Sequence, residues 1–197
     1  MSNNSFIPAL QECERFILFL DKKFNLELKQ NYVITINKAS KGVIGYFMPD
    51  KHSDKFINST QDLNNINLNT LFLKTNSPYE CLAHELAHFI NYLKDVKDCS
   101  SNQYHNKHFK KVAEGLLLSV EKGKRGYAYT KETESFKLMM EEFKPNKEVF
   151  NIFQSNKDKK KVGSRLKLYM CSCGVKVRCA VELKAKCLLC EGEFEKC

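Results

Sequence analysis

The sequence predicts an α+β fold, in which a small antiparallel sheet packs on helices and a small cysteine-bearing module follows. Three observations lead to this prediction. Segments with apolar residues at helical spacing alternate with short runs of β-branched and aromatic residues. One central segment is apolar on most sides and starts with a helix-capping sequence. Two closely spaced cysteine pairs lie near the C-terminus.

The first half of the chain supplies one helix and the sheet. Apolar side chains recur at mostly helical spacing over residues 8–24, and a turn at Lys41-Gly42 separates two β-type runs. The elements predicted here are a helix over 8–24, strands over 32–36, 43–48 and 55–58, and a short helix or turn over 68–73.

The second half is predicted to be mainly helical. Ser77 as N-cap, Pro78 at the first helical position and Glu80 as the partner of Ser77 in a capping box mark a helix start. The residues that follow are apolar on most sides, which indicates a buried helix. The elements predicted here are a helix over 78–93, a polar loop over 95–103, a helix over 106–121, a turn or loop over 123–130 and a helix over 132–143.

The predicted buried helix contains the segment His84-Glu85-Leu86-Ala87-His88. Two imidazoles four residues apart lie on one helical face, so both can bind one metal ion. Glu85 follows the first histidine, where a carboxylate can reach a metal-bound water and accept its proton. Burial of these polar groups is costly unless a metal ion satisfies them. The pattern predicts a hydrolytic zinc site; an amphipathic helix with two histidines near its polar face is the alternative.

A catalytic zinc ion takes three protein ligands and keeps one position for water. The chain has five histidines, and two of those outside the motif, His105 and His108, lie at or near the start of a predicted helix. Either can supply the third ligand. Glu114 ranks below both, and His52 lies among charged residues typical of a solvated loop.

The C-terminal cysteine pairs predict a second, structural metal site. Cys171 and Cys173 form the first pair, and Cys187 and Cys190 form the second, as in a zinc ribbon. Gly174 permits the tight turn that the first pair needs. Four thiolates around zinc make a closed site with no water to activate.

The other cysteines are predicted not to bind metal. Alternating apolar and polar residues between the two pairs indicate a strand with Cys179 on its apolar face. Disulfides are the alternative, but nine is an odd number of cysteines, and the N-terminal residues do not resemble a secretory signal. A reducing, cytoplasmic location is therefore expected. Core or surface thiols are predicted at Cys13, Cys81 and Cys99, and a free thiol is predicted at Cys197.

Length and charge set the domain organisation. At 197 residues the chain has room for one main core and a small appendage. We predict a main domain over 1–154, a basic linker over 155–168 and the cysteine module over 169–197. No apolar run is long enough to span a bilayer. The net charge of +9 suits a nucleic-acid partner, and solvated lysines in a flexible linker are the alternative. The basic residues cluster at Lys122, Lys124 and Arg125, and at Lys157, Lys159, Lys160, Lys161, Arg165 and Lys167.

Taken together, these motifs resemble the SprT-like (Spartan-type) zinc metalloprotease family, in the compact form common in bacteria and phages. His84, Glu85 and His88 match the first family motif. His105 and Phe109 match the second, an H-G-x-x-F-like motif ahead of a helix. The resemblance runs from about residue 32 to the C-terminus, and the combination of both motifs with a ribbon is much more specific than the first motif alone.

The resemblance implies His105, rather than His108, as the third zinc ligand. It also implies a SprT-like metallopeptidase domain over 1–154 and a zinc ribbon over 169–197. Asn106 stands where the family usually has glycine. Since asparagine tolerates left-handed backbone better than most residues, we expect the turn to be retained.

The activity implied by the resemblance is that of a DNA-associated metallopeptidase acting on DNA-bound proteins. In the mechanism predicted from the motif, zinc activates a water and polarises the scissile carbonyl, and Glu85 passes the proton to the leaving amine. A non-catalytic DNA-binding zinc protein with a metallopeptidase-like core is the alternative, and an enzyme acting on a non-peptide amide is another. The oxyanion-stabilising residue stays open among Tyr92, Tyr104, Tyr127 and Tyr129.

Overall fold

The computed structural model of the chain describes residues 5–28, 31–39, 42–49, 63–73, 75–153 and 166–197. The chain separates into two compact units, Met1–Ser155 and Asn156–Cys197. The strand predicted over 55–58, His52 and the basic cluster at 157–165 lie outside the described residues. Within the described ranges, no helix is long and apolar enough to cross a membrane.

The first unit is α+β, in agreement with the predicted fold class. Its elements, in chain order, are α1 (Ile7–Phe24), β1 (Tyr32–Asn37), β2 (Gly45–Met48), β3 (Asn64–Asn69), α2 (Pro78–Leu93), α3 (Lys107–Gly115), β4 (Leu118–Gly123), β5 (Gly126–Glu132), α4 (Glu134–Phe143) and a 3-10 helix over Lys147–Phe153. Helix α2 has the predicted bounds. The short helix or turn predicted over 68–73 starts too early, because residues 68 and 69 belong to β3.

Strand β3 lies between β1 and β2 in the sheet. Strands β1 and β3 run parallel, with Ile34 opposite Ile66, whereas β2 and β3 are antiparallel, with Phe47 opposite Ile66. The prediction of an antiparallel sheet is therefore wrong for one of the two pairings. The chain reverses direction between β1 and β2 and again before β3, so insertion of β3 between the two earlier strands leaves β1 and β3 parallel.

Strand β3 is polar in sequence and fully buried in the fold. Its two apolar residues, Ile66 and Leu68, enter the hydrophobic core. On the other face, the Asn67 side chain donates to the Thr35 carbonyl oxygen, the Thr35 hydroxyl and Asn37 Oδ1, at 3.2, 2.8 and 2.9 Å. These bonds tie β3 to β1, and they allow buried amides to occupy a central strand.

Aromatic side chains fill the core behind α2. Phe16 of α1 meets Tyr79, Phe136 and Phe143 edge-on, with ring centroids 5.1, 6.3 and 5.1 Å away. The Tyr79 hydroxyl donates a 2.8 Å hydrogen bond to the carboxylate of Glu12, which is buried. Close-packed aromatic contacts of this kind fix the position and rotation of α2.

A β-hairpin replaces the last turns of the helix predicted over 106–121 and the loop predicted over 123–130. Helix α3 stops at Gly115, and Leu117 takes left-handed backbone (φ 65°) that cannot continue a helix. Strands β4 and β5 then pair antiparallel across a tight turn that ends at Gly126 (φ 67°). Both predictions are wrong because the apolar residues before this turn fit a helical and a strand period equally well.

The second unit is built on a small antiparallel sheet. Its strands are β6 (Lys167–Met170), β7 (Lys176–Cys179) and β8 (Glu195–Lys196), with β6 in the centre. Strand β7 corresponds to the strand predicted between the cysteine pairs, and Cys179 is partly buried on it. Tyr169 of β6 is buried, and its hydroxyl donates to the Val181 carbonyl oxygen at 3.4 Å.

Candidate metal centres

Helix α2 carries two histidines to one cleft. Ser77 caps the helix by accepting a hydrogen bond from the Glu80 amide. His84 and His88 are four residues apart, and both line the cleft in front of the helix. The Glu80 carboxylate, predicted to complete a capping box, accepts a hydrogen bond from Thr130 Oγ1 at 3.1 Å. The same hydroxyl lies 3.2 Å from Nδ1 of His84.

His105 reaches the same point from the segment just before α3, where it lies beside the start of β5. Its amide donates to the Arg125 carbonyl oxygen and its carbonyl accepts from the Tyr127 amide, both at 3.0 Å. The Nε2 atoms of His88 and His105 lie 3.1 Å apart. One ring nitrogen from each of His84, His88 and His105 lies within 4.8 Å of the other two, so this histidine triad can hold one metal ion.

In His88 and His105, the Nδ1 atom, which points away from the other imidazoles, lies within hydrogen-bond distance of an acceptor. Nδ1 of His88 lies 2.8 Å from Asp98 Oδ2, and the Asn91 amide donates to the same oxygen at 3.0 Å. Nδ1 of His105 lies 3.1 Å from the Gln103 carbonyl oxygen. These partners require a proton on Nδ1, so Nε2 of each ring keeps its lone pair for a metal ion.

The surroundings favour the uncharged form of two of these imidazoles, those of His84 and His105. Burial lowers the pKa of His84 well below its ordinary value, and the neighbouring imidazoles add to this effect. Burial, with His88 next in importance, lowers the pKa of His105 to about 4. The Phe109 ring packs against all three imidazoles, with centroids 4.6 Å from each. Neutral imidazole is the form that binds metal.

Glu85 is buried next to the triad and is positioned by β2. Burial raises the pKa of Glu85 to about 7, against a smaller opposing effect of His88 and of a hydrogen bond from the Phe47 amide. Gly45 leaves the space that this carboxylate occupies. A Cβ at Gly45 would lie 2.6 Å from the Asn67 carbonyl oxygen and 3.0 Å from Glu85 Oε1.

The triad and Glu85 line a cleft of about 750 Å³, a size typical of ligand sites. Residues of both β2 and β5 contribute to its walls. Of the four tyrosines considered as oxyanion stabilisers, Tyr92 and Tyr129 line this cleft. Tyr104 and Tyr127 are not among its described lining residues.

The structure places the other candidate ligands away from the triad. His108 is exposed in the first turn of α3, and exposed Glu114 pairs with Lys110 at 3.5 Å. Asn106 has extended backbone (φ −97°), so the left-handed turn expected there is wrong. Its side-chain oxygen instead caps α3 by accepting from the amides of His108 and Phe109.

The four cysteines of the second unit form a second cluster. The Sγ atoms of Cys171, Cys173, Cys187 and Cys190 all lie within 4.8 Å of one another. Two of the separations are 2.9 Å (Cys171 to Cys173) and 3.7 Å (Cys173 to Cys187), well beyond the roughly 2.05 Å of a disulfide. All nine cysteines are free. This cysteine cluster can hold a metal ion.

Two tight turns bring these thiols together. Gly174 takes left-handed backbone (φ 86°) and donates to the Cys171 carbonyl oxygen at 2.9 Å. In the second turn, the Cys187 amide donates to the Gly192 carbonyl oxygen at 2.8 Å. The Gly192 amide lowers the pKa of Cys190 to about 6, which favours the thiolate that metals bind.

Nothing in the sequence pattern marks several residues that complete the histidine site. Asp98 and Gln103 fall in the segment predicted as a polar loop, and Thr130 falls in one predicted as a turn or loop. The number of residues between each of them and the His84–His88 motif does not indicate that they contact it. The one available signal is Gly45, since an isolated glycine in a strand pattern indicates a close approach by another group.

Comparison with known proteins gives no family for this chain. No family model, no curated protein and no solved structure matches it.

Proposed function

We propose that this protein is a zinc-dependent metallopeptidase that acts on DNA-associated proteins. The observation that carries the proposal is the convergence of His84, His88 and His105 beside the buried carboxylate of Glu85 in one cleft. Three imidazoles with an adjacent carboxylate are the parts that metal-assisted hydrolysis of peptide bonds requires. The resemblance to SprT-like metalloproteases supports the same activity.

Zinc fits both clusters by the chemistry of their donors. Three imidazoles match a catalytic zinc site with one position left open, and four thiolates match a closed structural site, here a zinc ribbon. Bound at the histidine triad, zinc would supply a Lewis acid in the cleft. Magnesium and calcium prefer oxygen ligands, which neither cluster provides.

Glu85 is suited to move the proton in this reaction. With its pKa raised by burial to about 7, the carboxylate can both accept and return a proton near neutral pH. It takes a proton from the attacking water and delivers it to the nitrogen of the leaving amine. The hydrogen bond from the Phe47 amide holds the carboxylate in place between these two steps.

The walls of the cleft favour an extended polypeptide as substrate. Among the residues that the structure describes, strand β2 pairs with β3 alone and forms an edge of its sheet. Its residues Gly45, Tyr46 and Phe47 line the cleft. A peptide in extended conformation can add a strand to such an edge through backbone hydrogen bonds. We therefore expect unfolded or loop segments to be cleaved.

Charge supports a nucleic-acid partner. The chain carries a formal net charge of +9. Lys122, Lys124 and Arg125 lie at the turn between β4 and β5, and Arg125 also lines the cleft. Contacts from lysine and arginine to phosphates carry no sequence information and release counterions, so DNA affinity should fall steeply with salt.

Glu85→Gln tests the mechanism. Glutamine matches glutamate in size but accepts no proton, so the variant should keep its metal and lose about 10²–10⁴-fold in cleavage rate. The assay follows cleavage of casein, an unfolded protein, with and without DNA oligonucleotides. Glu114→Gln, the same change on the exposed side of α3, is the matched control and should cleave normally. Normal cleavage by Glu85→Gln would exclude the mechanism.

The role of DNA is tested separately. Unaltered protein should bind fluorescent oligonucleotides with an affinity that falls with added salt, and DNA should stimulate cleavage of a DNA-bound protein. A chain that holds zinc and binds DNA but cleaves neither casein nor a DNA-bound protein would instead be a non-catalytic DNA-binding protein. Cleavage that is indifferent to DNA would leave the peptidase and remove the DNA partner.

A further inference from the structure

We infer that Thr130 is a positioning residue of the histidine triad: held by Glu80, its hydroxyl fixes the tautomer and orientation of His84. The inference rests on the metal site of the proposed function, and it requires no assumption about substrate or catalysis. It adds a third hydrogen-bonded partner to the two, Asp98 and Gln103, that hold the other imidazoles.

The three groups form a short chain of hydrogen bonds. Thr130 Oγ1 lies 3.1 Å from Glu80 Oε1 and 3.2 Å from Nδ1 of His84. A threonine hydroxyl has one proton, and an ionised carboxylate can only accept. The hydroxyl proton therefore points to Glu80, and Nδ1 of His84 must donate to Oγ1. This tautomer leaves the lone pair of His84 on Nε2, where a metal ion needs it.

Glu80 is needed to fix the direction of the hydrogen bond between Thr130 and His84, because a hydroxyl can both donate and accept. His88 and His105 face acceptors that have no proton to give, the Asp98 carboxylate and the Gln103 carbonyl. Each of these sets the tautomer of its histidine alone. A hydroxyl is both donor and acceptor, so by itself it would allow either tautomer of the third imidazole. The carboxylate removes this ambiguity.

The fold holds the chain of bonds in register. Glu80 and His84 are one helical turn apart on α2, so both side chains reach the same residue of β5. Thr130 is partly buried and pairs with Val120 of β4. The other end of β5 is fixed to the backbone of His105. One strand therefore supports two of the three histidines.

Two variants at position 130 separate the hydroxyl from the shape of the side chain. Thr130→Val keeps the β-branched shape and lacks the hydroxyl, whereas Thr130→Ser keeps the hydroxyl. In the full-length chain loaded with cobalt(II), sulfur-to-cobalt charge transfer reports the cysteine cluster, and the visible d–d bands of the remaining ion report the histidine triad. Chelator competition then gives the affinity of each site.

We expect Thr130→Val to weaken cobalt binding at the triad by about 10–100-fold. Thr130→Ser should stay within about threefold of the unaltered chain, because it restores the same bond. The sulfur-to-cobalt band should be unchanged in both variants. In the metal-free protein, ¹⁵N chemical shifts should show one His84 tautomer for threonine and serine at position 130, and a mixture for valine.

Several outcomes would overturn the inference while leaving the proposed function intact. These are unaltered triad affinity in Thr130→Val, equal loss in Thr130→Ser and Thr130→Val, or a single His84 tautomer in Thr130→Val. Failure of the unaltered chain to bind cobalt at the triad would overturn the proposed function and this inference together. The two kinds of failure are distinct, because failure of the proposed function is seen in the unaltered chain, whereas failure of this inference alone is seen only in the variants.

Discussion

His105 and His108 show, at the scale of single residues, that backbone position decides which side chain can bind metal. His105 is held between Arg125 and Tyr127 by two backbone hydrogen bonds and faces His84 and His88, whereas His108 is exposed on α3. We predict that His105→Ala loses about one metal ion per chain and that His108→Ala loses none. Metal content of the purified variants, measured by plasma emission, checks this. Retention of both ions in His105→Ala would move the third ligand elsewhere.

The residues of the site differ in how far sequence could predict them. His84 and His88 share one helical turn, so helix geometry alone brings them together. Asp98 and Thr130 contact these same rings only because a loop and a hairpin return to α2. Such contacts depend on the tertiary fold, and no local spacing encodes them. His105 followed from the family resemblance, since its spacing from the motif left His108 equally possible.

At the scale of elements, Gly126 connects the hairpin to the histidine triad. It has left-handed backbone (φ 67°), and a Cβ there would lie 2.1 Å from the His105 carbonyl oxygen. We predict that Gly126→Ala lowers the free energy of unfolding by about 1–3 kcal/mol and displaces His105, which weakens metal binding at the triad. Urea unfolding and chelator competition measure the two effects.

Gly115→Ala is the control for this prediction. Gly115 ends α3 with open space around its Cβ position, so alanine there should be neutral or slightly stabilising. Equal behaviour of the two variants would show that the contact between Gly126 and His105 is unimportant.

Elements whose apolar residues recur with one clear helical or strand period were predictable from sequence. Elements whose local sequence favours another structure, or fits both periods, were not. Helix α2 has a capped start at Ser77 and a long apolar run, so its bounds followed from the sequence. Strand β3 has four asparagines among six residues, which local propensity opposes. Its position comes from long-range bonds such as those from Asn67 to Thr35. The β4–β5 hairpin was missed because the left-handed residue after α3 is Leu117, and leucine does not mark such a backbone in sequence as glycine or asparagine would.

At the scale of the whole molecule, Glu12 joins three parts of the first unit. Its carboxylate accepts hydrogen bonds from Arg15, the Tyr79 hydroxyl and the Asn146 amide. Burial alone would raise the pKa of Glu12, but these hydrogen bonds outweigh burial and place the pKa below its ordinary value. Glu12 therefore stabilises the fold fully above the unfolded-chain pKa of about 4.3, and this contribution is lost as pH falls through the lower folded-state pKa.

Glu12→Gln should reveal this pH dependence. We predict that the variant lowers the free energy of unfolding by about 1–3 kcal/mol at pH 7, since hydrogen bonds to a charged group are lost. The difference from the unaltered chain should shrink below about pH 4, as the carboxylate becomes protonated. Urea unfolding at a series of pH values measures it. Glu14→Gln changes an exposed neighbour on α1 and should leave the free energy of unfolding unchanged at every pH. If the loss of stability in Glu12→Gln were independent of pH, the ionised carboxylate of Glu12 would not be its cause.

The two clusters that can hold a metal ion belong to different compact units, so loss of metal from each should be separable. Cys187→Ser removes one of four thiolates, and we predict that metal content falls from two ions per chain to one. The remaining ion should be the one at the histidine triad, because the aromatic core around Phe16 that fixes α2 lies entirely within the first unit. Cys179→Ser, outside the cluster and partly buried, should keep both ions. Loss of both ions in Cys187→Ser would mean that the triad depends on the second unit.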